Sequence, residues 1–141
     1  MKILFLCVAN SARSQLAEGL AKSIFGEKIH VESAGSTPSG IVQPMAIRVL
    51  KEEGIDICQS WSKSFEELNP IFLKELDYVI TLCAEEVCPA IITKAKRLHW
   101  PISDPAVESD EKKLEAFRSA RDEIKKRLKE LSHTIKQVLE Q

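Results

Sequence analysis

The sequence predicts an α/β fold in which a four-stranded parallel sheet is flanked by helices and followed by a long C-terminal helix. Short apolar segments alternate with longer segments whose apolar residues recur at steps of three and four, as in strands joined by crossover helices. Glycine and proline stand at the junctions. With 141 residues and no linker-like stretch, the chain is long enough to bury one core, and we expect a single domain over residues 1–141.

The four predicted strands are short apolar runs. The first directly follows Met1, and the third has Val79 and Ile80 at its centre. In chain order the strands cover residues 2–6, 29–33, 77–82 and 97–100. Ligands of such sheets bind beyond the carboxyl ends of the strands. Residues that directly follow a strand are therefore the first candidates for a functional site.

Helices are predicted between and after these strands. They cover residues 14–25, 44–53 and 111–139, with a further short helix within residues 61–76. Pro44 stands at the start of the second helix, and Gly26 and Gly54 stand just past the ends of the first two. The long terminal helix carries an apolar stripe at Leu114, Phe117, Ile124, Leu128, Leu131, Ile135 and Val138. This stripe favours a helix that covers one face of the sheet, with a coiled-coil partner as the alternative.

Composition and charge exclude several classes of function. The net charge is −1 with both signs interspersed, so the sequence has no basic surface for nucleic acid or membrane. No segment approaches the length of a membrane span. Met1 to Ala12 superficially resembles a signal peptide, but its apolar part is short and the helical pattern resumes directly at Leu16. We therefore interpret it as the first strand, and expect a cytoplasmic protein that binds neither nucleic acid nor membrane.

The four cysteines do not follow a metal-binding pattern. They are Cys7, Cys58, Cys83 and Cys88, without any Cys-x-x-Cys pair, and the three histidines are scattered along the chain. In a reducing compartment, thiols that bind no metal are catalytic groups or inert residues. We expect no metal and no cofactor. Cys58 has no evident partner in the sequence, and we interpret it as a structural or incidental thiol.

The most informative motif directly follows the first strand: Cys7-Val8-Ala9-Asn10-Ser11-Ala12-Arg13-Ser14. On a strand-to-helix turn, the backbone N–H groups of residues 7–13 can converge on a tetrahedral oxyanion, and the helix N-terminus adds positive potential. Arg13 can bind two anion oxygens as a planar fork. The same potential favours the nucleophilic thiolate of Cys7, to which Ser14 can donate a hydrogen bond. We name residues 7–13 the oxyanion loop.

Three further residues follow strands at the same edge of the predicted sheet or lie in the adjoining loop. Asp104 is a candidate general acid for the oxygen that departs when a thiolate attacks the anion. Cys83 can attack a thiol adduct at Cys7, and the resulting disulfide can move outward by exchange to Cys88. The alternatives are an ordinary Asp-Pro turn at residue 104, a core-filling Cys83 and an incidental Cys88.

The motif Cys7-x-x-Asn10-Ser11-x-Arg13-Ser14-Gln15-x-Ala17-Glu18-Gly19 resembles the phosphate-loop signature of thioredoxin-coupled arsenate reductases, which share a fold with low-molecular-weight protein tyrosine phosphatases. The resemblance covers most of the chain and continues in Ser33-Ala34-Gly35, Glu53-Gly54-Ile55-Asp56-Ile57, Thr81-Leu82-Cys83, Cys88-Pro89, His99-Trp100, Asp104-Pro105-Ala106 and Arg121-Asp122-Glu123-Ile124. It implies a phosphatase-like loop after the first strand.

The resemblance also implies a reaction. Cys7 would attack arsenate held by the oxyanion loop and Arg13, while Asp104 protonates the departing oxygen. Cys83 would then attack the adduct, which releases arsenite and leaves a Cys7–Cys83 disulfide. Cys88 would take over the bond as Cys83–Cys88 and present it to thioredoxin. The implied partners are arsenate, with phosphate and sulfate as competing oxyanions, and thioredoxin as the reductant of a monomeric enzyme.

Two residues distinguish the reductases from the phosphatases within this resemblance. Phosphatases usually carry Pro after the Arg-Ser pair and Tyr after the Asp-Pro pair, where this chain has Gln15 and Ala106. They also lack the second and third thiols. A phosphatase for phosphotyrosine or small phosphate esters is the alternative enzyme, and an oxyanion-binding module without turnover is the alternative outside enzymes.

The chain departs from the family pattern in three places. Cys83 and Cys88 stand closer together than in well-known members, and Ala12 replaces a further cysteine. Some members bind potassium beside the loop through counterparts of Asn10, Glu18, Ser33 and a later Asp, and the position of that Asp is Lys63 here. Our hypothesis is that the Lys63 ammonium takes the place of potassium and pairs with Glu18.

Overall fold

The computed structural model describes residues 1–84 and 91–139. Within them, one four-stranded sheet has the order β2-β1-β3-β4, and every neighbouring pair is parallel. The strands are β1 (Lys2–Cys7), β2 (His30–Gly35), β3 (Tyr78–Thr81) and β4 (Lys96–His99). The predicted fold class is confirmed.

Strand β1 occupies the interior of the sheet. Its residues Ile3, Leu4, Phe5 and Leu6 are all fully buried. A continuous apolar run of this kind is typical of a parallel strand covered on both faces. The register sets Cys7 beside Gly35 of β2 and Leu6 beside Thr81 of β3. The carboxyl ends of these three strands therefore meet at one edge, as the site prediction requires.

The helices are α1 (Arg13–Phe25), α2 (Pro44–Lys51), α3 (Pro70–Lys74) and α4 (Asp110–Leu139), and 3-10 turns form at Gly26–Lys28, Phe65–Glu67 and Pro105–Val107. After α2, the Ile55 N–H donates to the Leu50 carbonyl at 2.9 Å and the Gly54 N–H donates to the Lys51 carbonyl at 3.0 Å. This pair of bonds, with Gly54 at φ +75°, is a Schellman cap. It explains why Gly54 marks the helix end in the sequence.

Buried apolar side chains cover both faces of the sheet. On one face Ile3 and Phe5 belong to a cluster shared with α1, α2 and α4, and on the other Leu4 and Leu6 contact the α3 region. The α4 stripe enters the first cluster through Phe117, Ile124, Leu128, Leu131 and Ile135. The face-covering prediction for this helix is thus confirmed. Trp61 is 52% exposed, unlike Trp100, which is buried in the first cluster. Within the described residues, no helix is both long enough and apolar enough to cross a bilayer.

Candidate active site

The oxyanion loop connects the end of β1 to the start of α1. Cys7 is the last residue of β1 and is 2% exposed, and Arg13 is the first residue of α1. Between them Asn10 has φ +48°, a left-handed conformation that asparagine tolerates better than most residues. The short loop therefore reverses direction at Asn10, with the thiol at one end and the guanidinium at the other.

Three carbonyl groups of the oxyanion loop accept donors from the surrounding protein. Those of Val8, Ala9 and Ser11 accept backbone N–H groups of Thr37, Ser39 and Gln43 at 2.9, 3.0 and 2.8 Å. The Ala9 carbonyl also accepts the Ser62 hydroxyl at 3.0 Å. Because C=O and N–H point in opposite directions across a trans peptide, these bonds turn the N–H groups of the loop toward its inner side. The result is a nest of donors for an anion above Cys7.

The thiol of Cys7 is part of a buried hydrogen-bond chain. Its sulfur lies 2.8 Å from the Ser14 hydroxyl oxygen. The Asn10 side-chain amide donates to that same oxygen at 2.7 Å and to the Ser33 hydroxyl at 3.0 Å. Since the Ser14 oxygen already accepts from Asn10, its own proton is available to the sulfur. A donor at this position stabilises the thiolate.

Behind the loop, the chain of hydrogen bonds ends in a buried ion pair. The Ser33 hydroxyl donates to Glu18 Oε1 at 2.8 Å, and the Lys63 ammonium lies 3.3 Å from the same oxygen. The side chains of Glu18 and Lys63 are each 5% exposed. Lys22 lies 3.1 Å from Glu18 Oε2 on the solvent side. Lys63 thus provides a cationic group directly behind the oxyanion loop.

Arg13 is held by the segments that follow β3 and β4. Its Nη1 donates to the carbonyls of Ile102 at 2.9 Å and Leu82 at 3.4 Å, and its Nη2 lies 3.7 Å from Asp104 Oδ2. The other Asp104 oxygen accepts the Ala106 N–H at 3.0 Å. The Asp104 carboxyl is 30% exposed, so it lies at the mouth of the site. The structure brings Cys7, Arg13 and Asp104 to the same edge of the sheet.

The remaining predicted thiols differ in their surroundings. Cys83 follows β3 and is 1% exposed, and its sulfur is in a disulfide. Cys7 and Cys58 are free thiols. Cys88 lies outside the described residues. Cys58 is exposed, and the hydrogen bond to the Asp56 carboxylate raises the pKa of its thiol above the ordinary value.

Several contributors to the site were missed by sequence reasoning. Gly35 lies against the oxyanion loop so closely that a Cβ there would be 2.3 Å from the Val8 carbonyl oxygen. The donors from Thr37, Ser39 and Gln43 come from the loop between β2 and α2. The richness of that loop in Gly, Ser and Pro was the available signal, because such residues allow close backbone approach. Among the described residues, no cluster of His, Cys, Asp or Glu has the arrangement of a metal site.

This fold, with a cysteine and an arginine at the two ends of a strand-to-helix loop, defines an oxyanion-binding enzyme of the phosphatase class. The chain belongs to the low molecular weight phosphotyrosine protein phosphatase family, whose sequence model matches residues 2–141. Within that family it is 44% identical to an arsenate reductase of Halalkalibacterium halodurans over 136 residues, which are 94% of this chain and 95% of that protein.

Solved structures agree with this placement. The structure of an arsenate reductase in the phosphate binding state has a TM-score of 0.78 and 36% identity, with 95% of this chain and 98% of that chain covered. A thioredoxin-dependent arsenate reductase from Corynebacterium glutamicum has a TM-score of 0.75 and 31% identity, with 99% of this chain and 63% of that chain covered. The resemblance seen in the sequence motifs is confirmed.

Proposed function

We propose that this enzyme reduces arsenate to arsenite through a Cys7–arseno adduct and a relay of Cys7, Cys83 and Cys88 that thioredoxin recycles. One observation carries the proposal. Cys7 is free beneath an anion-binding loop, while Cys83, at the end of the neighbouring strand, is in a disulfide that does not involve Cys7. This is the arrangement expected at the end of the relay, when the nucleophile has been released and the oxidising equivalents have moved outward.

The first step is displacement at arsenic. Arsenate occupies the nest of N–H groups, with two oxygens on the Arg13 guanidinium. The Cys7 thiolate attacks, so that an S–As bond forms and an As–O bond breaks. The departing oxygen takes a proton from Asp104 and leaves as water. The position of Asp104 Oδ2, 3.7 Å from Arg13 Nη2, supports this role because it places the carboxyl beside the bound anion.

The second step transfers the electrons. The Cys83 thiolate attacks the Cys7 sulfur, an S–S bond forms, and the S–As bond breaks with its electron pair remaining on arsenic. Arsenic(V) becomes arsenic(III) and leaves as arsenite, while two thiols have become one disulfide. The burial of Cys83 beside the β1 end supports its role as the attacking thiol, because the pairing of β1 with β3 sets the two strand ends side by side.

The third step restores the nucleophile. The proposal assigns the third thiol to Cys88, which attacks Cys83 and releases the Cys7 thiolate. The two thiols of thioredoxin then reduce the Cys83–Cys88 disulfide and close the cycle. A disulfide that must be reduced in every turnover requires a reducing compartment, which supports a cytoplasmic location. The thioredoxin-dependent enzyme of Corynebacterium glutamicum supports the choice of reductant.

A phosphatase is the second candidate, because the family is one of phosphotyrosine phosphatases. That reaction needs Cys7, Arg13 and Asp104, but neither Cys83 nor Cys88. Arsenate and phosphate are tetrahedral oxyanions of nearly equal size, so slow phosphatase activity can coexist with reduction. The two activities are therefore separated by the second and third cysteines.

One experiment tests the relay against the phosphatase. Arsenate is supplied with thioredoxin, thioredoxin reductase and NADPH, and NADPH oxidation is compared in wild type, Cys83→Ser, Cys88→Ser and the matched control Cys58→Ser. We expect turnover to be lost in the first two variants and kept in the control, with any hydrolysis of p-nitrophenyl phosphate kept in all of them. Unchanged arsenate-dependent turnover in Cys83→Ser or Cys88→Ser would exclude the relay.

A further inference from the structure

Gln15 is buried directly behind the oxyanion loop and binds it with one end of its side chain. The residue is 1% exposed. Its Nε2 donates to the Asn10 carbonyl at 3.1 Å, to Asn10 Oδ1 at 3.0 Å and to the Trp61 carbonyl at 3.0 Å. The two hydrogens of Nε2 are thus shared among three acceptor oxygens. Gln15 therefore connects the one left-handed, non-glycine residue of the loop to the segment that carries Lys63.

The oxygen of the Gln15 side-chain amide makes no comparable contact with the described part of the chain. Its Oε1 is buried and accepts no hydrogen bond from the residues that the structure describes. A buried acceptor without a donor is unfavourable. The opposite orientation of the amide is worse, because it would set Oε1 against three other oxygens. The hydrogen bonds that Nε2 donates therefore account for glutamine at this position. An apolar side chain would fill the same space without burying an unpaired oxygen.

Gln15 and the Lys63 backbone together determine the orientation of the Asn10 amide. Asn10 Oδ1 accepts from Gln15 Nε2 and, at 2.9 Å, from the Lys63 backbone N–H. A rotation of the amide by half a turn would bring Asn10 Nδ2 against these two donors. With Oδ1 held in this way, Nδ2 must face the hydroxyls of Ser14 and Ser33, as observed.

The orientation of Asn10 in turn directs the proton of Ser14. While Nδ2 donates to the Ser14 oxygen, the hydroxyl proton is left for the Cys7 sulfur 2.8 Å away. In the rotated state the hydroxyl would donate to Asn10 Oδ1 and would no longer donate to the sulfur. We propose that Gln15 is a positioning residue for the nucleophile, because it holds the Asn10 amide in the one orientation that directs the Ser14 hydroxyl to Cys7. The inference rests on the proposed role of Cys7 as the attacking thiolate.

The test measures the reactivity of the Cys7 thiol alone and needs no arsenate. In a full-length chain with Cys58→Ser, Cys83→Ser and Cys88→Ser, the rate of alkylation by iodoacetamide is measured from pH 5 to pH 9. The variant Gln15→Met keeps the size of the side chain and removes its donors. The matched control is Gln137→Met, since residue 137 is an exposed glutamine on α4, outside the oxyanion loop and the segments that bind it.

We expect Gln15→Met to move the pH midpoint of alkylation upward by about one unit and to slow the reaction at neutral pH about tenfold. Gln137→Met should leave both unchanged. The charged groups around Cys7 are Arg13 from α1, Asp104 after β4 and the Glu18–Lys63 pair behind the loop. These charged groups are the same in every variant. A shift of the alkylation profile therefore reports a change in the hydrogen bonds that join Gln15, Asn10 and Ser14. An unchanged profile in a folded Gln15→Met protein would overturn the inference.

The outcome is independent of the proposed reaction. A shifted profile supports the positioning role whether or not the wild-type chain reduces arsenate. If Gln15→Met does not fold, solvent exchange of the side-chain amides is followed by NMR in the wild-type chain. The Gln15 amide protons should exchange at least about tenfold more slowly than those of the exposed Gln59, and nuclear Overhauser contacts should join Asn10 Nδ2 protons to Ser33. Equal exchange, or contacts that place Asn10 Nδ2 toward Lys63, would overturn the inference.

Discussion

The Ser14 hydroxyl oxygen lies 2.8 Å from the Cys7 sulfur, and both residues are buried at the base of the oxyanion loop. When Cys7 is ionised, its sulfur can only accept, and the Ser14 hydroxyl is then the donor in this contact. Asn10 donates to the Ser14 oxygen at 2.7 Å, and the sulfur is the acceptor that remains for the Ser14 proton. The contact therefore provides the Cys7 thiolate with a hydrogen-bond donor.

Replacement of Ser14 by alanine should remove that donor. A hydrogen bond to a charged group is worth ~1.5–3 kcal/mol, which corresponds to about a tenfold to hundredfold loss in thiolate reactivity at neutral pH. We expect Ser14→Ala to shift the pH profile of Cys7 alkylation upward and to lower kcat/KM for arsenate. Ser23→Ala, on the exposed side of the same helix, is the control. A Ser14→Ala enzyme with the wild-type pH profile would contradict this role.

Arg13 should not be replaceable by lysine, although the charge is kept. Its guanidinium binds the Ile102 carbonyl at 2.9 Å with one nitrogen, which aims the rest of the planar group toward the anion site. A lysine ammonium cannot bind both the carbonyl and two anion oxygens in one plane. We expect Arg13→Lys to lower kcat/KM about a hundredfold or more and to weaken phosphate binding measured by calorimetry. The control Arg127→Lys changes a half-buried arginine on α4 that pairs with Glu123, and it should have no effect on either quantity.

Gly35 should be required for the shape of the loop. A Cβ at this position would lie 2.3 Å from the Val8 carbonyl oxygen, so Gly35→Ala must displace the loop or the end of β2. We expect a loss of ~1–3 kcal/mol in the free energy of unfolding together with a large loss of activity.

Gly26→Ala provides the comparison for Gly35→Ala. Gly26 has φ +68° and nothing within 4 Å of the added Cβ, so alanine should cost ~1–2 kcal/mol of backbone strain with activity kept. Chemical denaturation and arsenate turnover distinguish the two. Equal activity in the two variants would show that the close approach of Gly35 does not shape the site.

The parts of the site that could be predicted from the sequence are those that are local along the chain. Cys7, Arg13 and Ser14 lie on one strand-to-helix turn, so their spacing alone specifies their relative positions. Asp104 could be placed because parallel strands bring their carboxyl ends to one edge. Its distance of 3.7 Å from Arg13 depends in addition on the path of the loop after β4, which the sequence pattern does not specify.

The parts that could not be predicted depend on register between distant segments. Gly35 lies beside Cys7 only because β2 pairs with β1 in one particular register. The Ser62 hydroxyl reaches the Ala9 carbonyl across 53 positions in the chain. The sequence distinguished Gln15 as a departure from the phosphatase pattern, but the direction of its amide depends on Asn10 and Trp61 together. Trp61 is likewise exposed because it lies beside a surface cavity. The hydrophobicity of a tryptophan does not predict such a position.

An exposed ion-pair cluster between α2 and α4 should make stability depend on pH. The hydrogen bond from Arg118 is the main cause that lowers the pKa of Glu52 from 4.5 to about 2, with a further contribution from Arg121. A carboxyl whose pKa is lower in the folded state stabilises the fold above its unfolded value, and the contribution is lost as the pH falls. We expect the melting-temperature difference between wild type and Glu52→Gln to be largest near neutral pH and to disappear between pH 4.5 and about 2.

The control for Glu52→Gln is Glu66→Gln, an exposed glutamate of the 3-10 turn Phe65–Glu67. That variant should show no pH-dependent difference from wild type. Because the cluster is on the surface, added salt should reduce the effect at neutral pH. A Glu52→Gln difference that stays constant from neutral pH down to pH 2 would contradict the ion pair as its source.

Lys63 should make the enzyme indifferent to potassium. Its ammonium lies 3.3 Å from Glu18 Oε1 in a buried pair, and a second cation in that space would be repelled. Activity and melting temperature of the wild type should therefore be equal in potassium and sodium chloride at the same ionic strength. Higher activity or stability in potassium would contradict the hypothesis that the ammonium takes the place of the ion.

Removal of the ammonium should reverse this behaviour. Loss of one partner of a buried ion pair lowers the free energy of unfolding by ~3–5 kcal/mol. In Lys63→Met this loss should be smaller, because Lys22 lies 3.1 Å from the other Glu18 oxygen. The pair lines a cavity of about 580 Å³ at the surface, through which a potassium ion can reach Glu18. Lys63→Met should thus regain stability and activity in potassium but not in sodium. Lys22→Met, which leaves the buried ammonium in place, should respond equally to both salts.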